Sequence, residues 1–142
     1  MKTIILAIGK LRGAEVALCE EYKKRFTGDL AIKELVGTSQ KEEAALLLKS
    51  IPARAFVVLC DERGKDLSSR ELAGKYAAWQ ERDALVFILG GADGVTEEVR
   101  GRADFTLGFG RKTWPHRLAR VMLLEQLYRA QQINAGHPYH RD

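Results

Sequence analysis

Three stretches of this sequence join glycines to charged and aromatic residues: Asp61-Glu62-Arg63-Gly64-Lys65, Gly90-Gly91-Ala92-Asp93-Gly94 and Gly108-Phe109-Gly110-Arg111-Lys112-Thr113-Trp114-Pro115-His116. Together they hold six glycines, the residue that lets a backbone approach a ligand closely or take positive φ. A nucleotide-phosphate cradle fits poorly, because Gly-x-Gly-x-x-Gly is absent and Arg111 precedes Lys112-Thr113 where a P-loop requires glycine. Nucleophilic catalysis finds no Gly-x-Ser-x-Gly elbow, and Cys60 closes an apolar run. His137-x-x-His140 has a ligand-like gap but no cysteine pair or paired carboxylates beside it, so no metal is expected. A phosphate-free, adenosine-like ligand suits the loops better, held by backbone groups, with Leu59, Leu89 and Trp114 around its flat ring. S-adenosylmethionine is one such ligand; the pattern alone leaves others open.

These loops need a frame, and the apolar pattern supplies one. Residues 3–8, 30–36, 55–60, 84–89 and 105–107 read as strands, separated by stretches of helical period: Leu18, Tyr22 and Phe26; Ala44, Leu47, Leu48 and Ile51; Leu72, Tyr76 and Trp79. Ser68-Ser69-Arg70-Glu71 has capping-box spacing ahead of the third helix. Strict alternation of strand and helix implies an α/β fold, a parallel sheet with helices on both faces, since a parallel connection must cross over. The three glycine stretches then leave the carboxyl ends of the third, fourth and fifth strands, where ligands gather in such sheets. A last helix, 115–134, is apolar on two stripes: Leu118, Val121, Leu124 and Tyr128 beside Leu123, Leu127 and Ala130. Deep burial within one domain and packing against a partner subunit explain that pattern equally well.

At 142 residues, with no repeat, linker or compositional break, one domain over 1–142 is expected. No apolar run reaches a membrane span, and 1–8 leads into Gly9-Lys10 without a cleavage-type ending, so a cytoplasmic protein with reduced Cys19 and Cys60 is expected. The formal charge of +4 favours a polyanionic partner. Arg111, Lys112, Arg117, Arg120, Arg129 and Arg141 all fall in the last quarter with the three histidines, so an RNA-facing surface belongs there.

The series Leu59-Cys60-Asp61-Glu62-Arg63-Gly64-Lys65, Leu89-Gly90-Gly91-Ala92-Asp93-Gly94, Thr113-Trp114-Pro115-His116-Arg117, Leu124-Glu125-Gln126-Leu127-Tyr128-Arg129-Ala130 and His137-Pro138-Tyr139-His140-Arg141 resembles, in order and along the whole chain, the ribosomal RNA large subunit methyltransferase H family. The resemblance implies a SPOUT fold with a C-terminal trefoil knot, a homodimer, and methyl transfer from S-adenosyl-L-methionine to ring nitrogen 3 of a pseudouridine in 23S ribosomal RNA, within the assembled ribosome or the large subunit. Nothing in the periodicity implies a knot. By the same resemblance the cofactor falls on Leu59, Cys60, Gly90, Gly91, Gly94, Phe109, Gly110, Arg111, Lys112, Thr113 and Trp114, and the catalytic candidates are Arg129, Tyr139, His140, Arg141 and His116. Arg129 or Arg141 is the candidate cation, His140 ahead of His116 the proton acceptor, and Tyr139 a platform for an unpaired base. Where relatives carry serines, a hydrophobic residue and Leu or Phe, this chain has Gly108 and Gly110, Lys112 and Trp114; backbone contacts survive such changes. Two rival functions are a non-catalytic RNA-binding or ribosome-assembly factor on the same scaffold and a nucleotide-dependent redox enzyme.

Overall fold

Alternate residues along each strand divide between two apolar layers, and this division builds the molecule. The computed structural model describes residues 2–142 and orders them as β1 (Lys2–Ile8), α1 (Ala14–Arg25), β2 (Asp29–Leu35), α2 (Gln40–Ser50), β3 (Phe56–Asp66), α3 (Ser69–Trp79), β4 (Ala84–Leu89), α4 (Glu97–Arg102), β5 (Phe105–Gly108) and α5 (His116–Asn134). The strands form one sheet in the order β2-β1-β4-β3-β5, with every pairing parallel. Ile5, Val58, Phe87 and Leu107 face one layer with Leu72 and Tyr76 of α3 and Leu123, Leu124 and Leu127 of α5. Ile4, Leu6, Leu59, Val86 and Ile88 face the other, with Ala44 and Leu47 of α2 and Val99 of α4. The near-continuous apolar runs of β1 and β4 are what a parallel strand covered on both faces requires.

Local signals fix the helix ends. Ser68 caps α3 in a full capping box with Glu71, as its spacing predicts, and Ser39 and Thr96 cap α2 and α4. Pro115 stands at the cap of α5 and not inside its first turn.

Two features depart from expectation. Strand β3 continues from Cys60 to Asp66 through charged residues, and the ladder to β5 jumps from Cys60 to Lys65, so 61–64 bulge out of it. Gly64 permits this: a Cβ there would stand 2.6 Å from Gly108 N and closer still to the Leu107 carbonyl carbon. The second is Arg120, expected on a basic surface but only 3% exposed. Its Nη1 meets Glu34 at 2.5 Å, its Nη2 donates to Gly9 O at 3.0 Å, and its Nε has no partner. Glu34 also accepts Leu11 N–H at 2.9 Å. That backbone bond, opposed by partial burial and joined by Arg120, holds the Glu34 carboxyl below the usual carboxylate range.

Removing Glu34 leaves the buried guanidinium without its counter-charge. Glu34→Ala is expected to cost about 3 kcal/mol at pH 7 by chemical denaturation. Because the folded-state pKa is lowered, that stabilisation is present at neutral pH and disappears as pH falls through the lowered value. The gap between wild type and variant should therefore close below about pH 4.

Candidate active site

The loops after β3, β4 and β5 enclose a cleft of about 730 Å³ at the carboxyl edge of the sheet. Cys60, Leu89, Gly90, Gly91, Gly94, Phe109, Lys112, Thr113, Trp114 and His116 line it, so most of the sequence-predicted cofactor residues meet in one place. Leu59 does not: its side chain is fully buried in the layer below. Gly110 and Arg111 belong to the same loop but not to the lining.

The Gly90–Gly94 turn is set from behind. Gly94 N donates to Gly91 O at 3.0 Å, Gly94 takes φ +75, and Gln40 of α2 donates to Asp93 O at 2.8 Å. A Cβ on Gly91 would meet Ile8 Cγ2 at 2.9 Å, so contact with β1 requires a glycine there. Across the cleft, Trp114 Nε1 donates to Phe109 O at 2.9 Å and Thr113 Oγ1 to Glu62 at 2.6 Å, which ties the third loop to itself and to the first. The Cys60 thiol is pushed up to about 12 by burial and serves as wall, not nucleophile.

A pair that sequence reasoning missed holds the first loop. Arg100 of α4 donates from Nη1 and Nη2 to the two oxygens of Asp61 at 3.0 and 3.1 Å, and Arg63 N–H adds a bond at 3.1 Å. Burial pushes the Asp61 carboxyl upward, but these bonds outweigh it and hold it below the usual range. The two partners are 39 residues apart, and no single-sequence pattern pairs them.

The remaining candidates cluster elsewhere. Arg129 bonds Glu125 at 2.6 Å and His140 Nδ1 at 3.0 Å, and its guanidinium lies 4.8 Å over the Tyr139 ring. Tyr139 packs edge-on against Tyr128 with centroids 4.8 Å apart, so its ring already has partners where an open base platform was expected. Burial and the Glu125 carboxylate raise the Tyr139 hydroxyl, which keeps it a phenol. Asp142 closes the group onto His140 at 2.7 Å and Arg70 at 2.9 Å. Arg is a donor only, so His140 Nδ1 must accept and Nε2 must carry the hydrogen toward Asp142. Both nitrogens of His140 are thus engaged, whereas His116 is exposed on the cleft and Arg141 is exposed with no ion pair among the described residues. Arg129 stands thirteen positions beyond His116 on α5, about 20 Å along the helix.

A family model described as "Predicted SPOUT methyltransferase" matches residues 1–140. Proteins named "Ribosomal RNA large subunit methyltransferase H" are similar along their whole length: that of Rhodospirillum centenum is 47% identical, covering 99% of each chain, and that of Ruegeria pomeroyi is 46% identical with the same coverage. The chain belongs to the SPOUT methyltransferase family, in the ribosomal RNA large subunit methyltransferase H group. A solved structure, "a probable methylase family protein from Haemophilus influenzae Rd KW20", shares the fold at TM-score 0.60 and 13% identity, over 99% of this chain and 70% of its own. In this SPOUT methyltransferase the three loops leave a cleft of ligand-pocket size, with Gly90, Gly91 and Gly94 on one side and Phe109 and Trp114 among its other lining residues.

The Asp61–Arg100 pair positions one wall of that cleft. Asp61→Asn should lower unfolding free energy by about 2 kcal/mol at pH 7, while Arg100→Lys, which keeps the charge but loses the fork, should lose only part of it. With the Asp61 pKa lowered in the fold, the wild-type advantage over Asp61→Asn is complete at neutral pH and fades as pH falls below about 4, readable by denaturation at each pH.

Proposed function

We propose that this enzyme transfers the methyl group of S-adenosyl-L-methionine to ring nitrogen 3 of a pseudouridine in 23S ribosomal RNA of the ribosome or large subunit, in the cytoplasm. The relatives' name gives the RNA class, and the observation that carries the reading is one cleft that gathers Gly90, Gly91 and Gly94 with Leu89, Phe109 and Trp114, in a chain without a phosphate-binding glycine motif. The cofactor supplies an electrophilic methyl on a sulfonium centre. The chain must align the nucleophilic nitrogen with it and help the imide lose its proton. Main chain of 90–94 and 109–114 holds the cofactor, with Leu89, Phe109 and the fixed indole of Trp114 shielding it from water. His116, at the cleft and with neither ring nitrogen bonded to the described residues, takes the imide proton; this reverses the order in which the two histidines stood on sequence grounds. Arg129, oriented by Glu125 and His140, stabilises the developing anion, and Arg141 meets the RNA.

One chain cannot bring Arg129 to its own cleft across about 20 Å of helix, so the reading requires a homodimer in which the 129–141 cluster of one copy faces the cleft of the other. Apolar surface supports this: Leu118 on α5 and Val16 and Leu18 on α1 are 38–42% exposed, and a groove of about 390 Å³ lined by Tyr22, Leu72, Phe109, Val121 and Met122 runs beside α5. In this reading the buried stripe of α5 packs on its own sheet and the exposed Leu118 end on the partner copy.

Labelled methyl transfer to ribosomes, free large subunits and naked RNA tests the activity, and calorimetry with S-adenosyl-L-methionine tests the cofactor; absence of binding sinks the enzyme reading in favour of a non-catalytic RNA-binding factor. Gly91→Leu should fold but lose cofactor binding, because its side chain drives the loop away from Ile8. Deleting 138–142 should leave cofactor affinity and the dimer, measured by light scattering, nearly unchanged while lowering methyl transfer at least a hundredfold, about 2.7 kcal/mol on the barrier. Full transfer by the shortened protein would leave the chemistry to Arg129 and His116 alone.

A further inference from the structure

The turn from β1 to α1 also reaches the carboxyl edge of the sheet, next to the cleft. β1 lies between β2 and β4, Ile8 backs onto Gly91, and a Cβ at Gly9 would stand 3.9 Å from His116 Nε2. This turn is pinned at three backbone points: Gly9 N donates to Leu35 O at 2.8 Å, Gly9 O accepts from Arg120 at 3.0 Å, and Leu11 N donates to Glu34 at 2.9 Å. Its neighbouring carboxylates are both taken by arginines of α5, Glu34 by Arg120 at 2.5 Å and Glu15 by Arg117 at 3.4 Å. Lys10 and Arg12 are exposed and make no ion pair among the described residues. Two exposed cations without an ion pair among the described residues, Lys10 with the Glu34 carboxylate in its field, therefore stand on a turn whose Gly9 lies against the histidine at the cleft.

We propose that this turn is a phosphate clamp for the RNA substrate: Lys10 and Arg12 hold backbone phosphates flanking the target nucleotide and so set its register over the cleft. The inference rests on the ribosomal RNA reading above. Backbone phosphate is the chemistry that fits, because the cations project from a turn and not into a pocket, and the main chain beside them is fixed at Gly9 and Leu11 before any ligand arrives. The arginines expected to form this surface, Arg117 and Arg120, instead neutralise the acids that would oppose it.

The test compares wild type with the double variant Lys10→Gln/Arg12→Gln, and with Lys24→Gln/Lys49→Gln, which removes equal charge from the last turns of α1 and α2 at the opposite edge of the sheet. For Lys10→Gln/Arg12→Gln, calorimetry with S-adenosyl-L-methionine and the melting temperature should match wild type. Its KM for large ribosomal subunits should rise about tenfold at unchanged kcat, and the slope of log affinity against log salt should fall by about two. Lys10→Arg should keep wild-type values. An unchanged salt slope, or an equal fall in the Lys24/Lys49 variant, overturns the clamp. If wild type transfers no methyl to ribosomal RNA, the functional reading fails separately; direct binding to large subunits, which needs no turnover, then still decides the clamp by the same slopes.

Discussion

The cleft edge of the molecule depends on one backbone crossing with no room for a side chain. Gly64, at the end of the β3 bulge, lies against Leu107 and Gly108 so closely that a Cβ on either glycine would collide with main chain. Main chain cannot move aside as a flexible side chain can, so this contact sets how far the loop after β3 stands from the loop after β5. The Thr113–Glu62 bond and the Asp61–Arg100 fork then act on two loops already in register. The cleft is the space those loops leave, walled on its other side by a glycine turn that packs on Ile8.

Helix α5 carries the consequences along its length. Leu123, Leu124, Leu127 and Ala130 are buried and anchor its middle to the sheet. Its first turn presents His116 to the cleft, and its far end orders Arg129, Tyr139 and His140. Between them the arginines are mostly spent within the fold: Arg117 on Glu15, Arg120 on Glu34, Arg129 on Glu125. A basic stretch of sequence is therefore not a basic surface, since each ion pair removes one cation from what an RNA can meet.

How much could be read from the residues follows from the range of the interactions involved. Strands β1, β2, β4 and β5 and the cap of α3 rest on local periodicity and spacing, and they stand where those patterns put them to within a residue or two. The extension of β3 does not, because Asp61-Glu62-Arg63-Gly64-Lys65 has no strand pattern and pairs only through a partner strand more than 40 residues away. Helix α4 is six residues long, too short for a helical period to show. The clustering of the glycine loops followed from fold class alone, whereas the burial of Arg120 and the Asp61–Arg100 pair depend on contacts that only the folded chain creates. The reaction, the knot and the dimer are expectations that rest on the family resemblance alone, since none of them has a local signature.

The same contacts separate the two histidines that sequence left nearly equivalent. His140 is held between a guanidinium that can only donate and a carboxylate that accepts, so its tautomer is fixed and its lone pair is in use. Taking a substrate proton on Nδ1 would first require breaking the bond to Arg129 and would then set two cations against each other. A residue so placed is suited to aiming Arg129, and its neighbour Tyr139, with the guanidinium over its ring, to the same task. His116 has no such commitments. Under the proposed reaction, proton transfer and RNA contact fall to the polar groups that the fold leaves unbonded, and the bonded ones hold the geometry in which those groups and the Arg129 cation act.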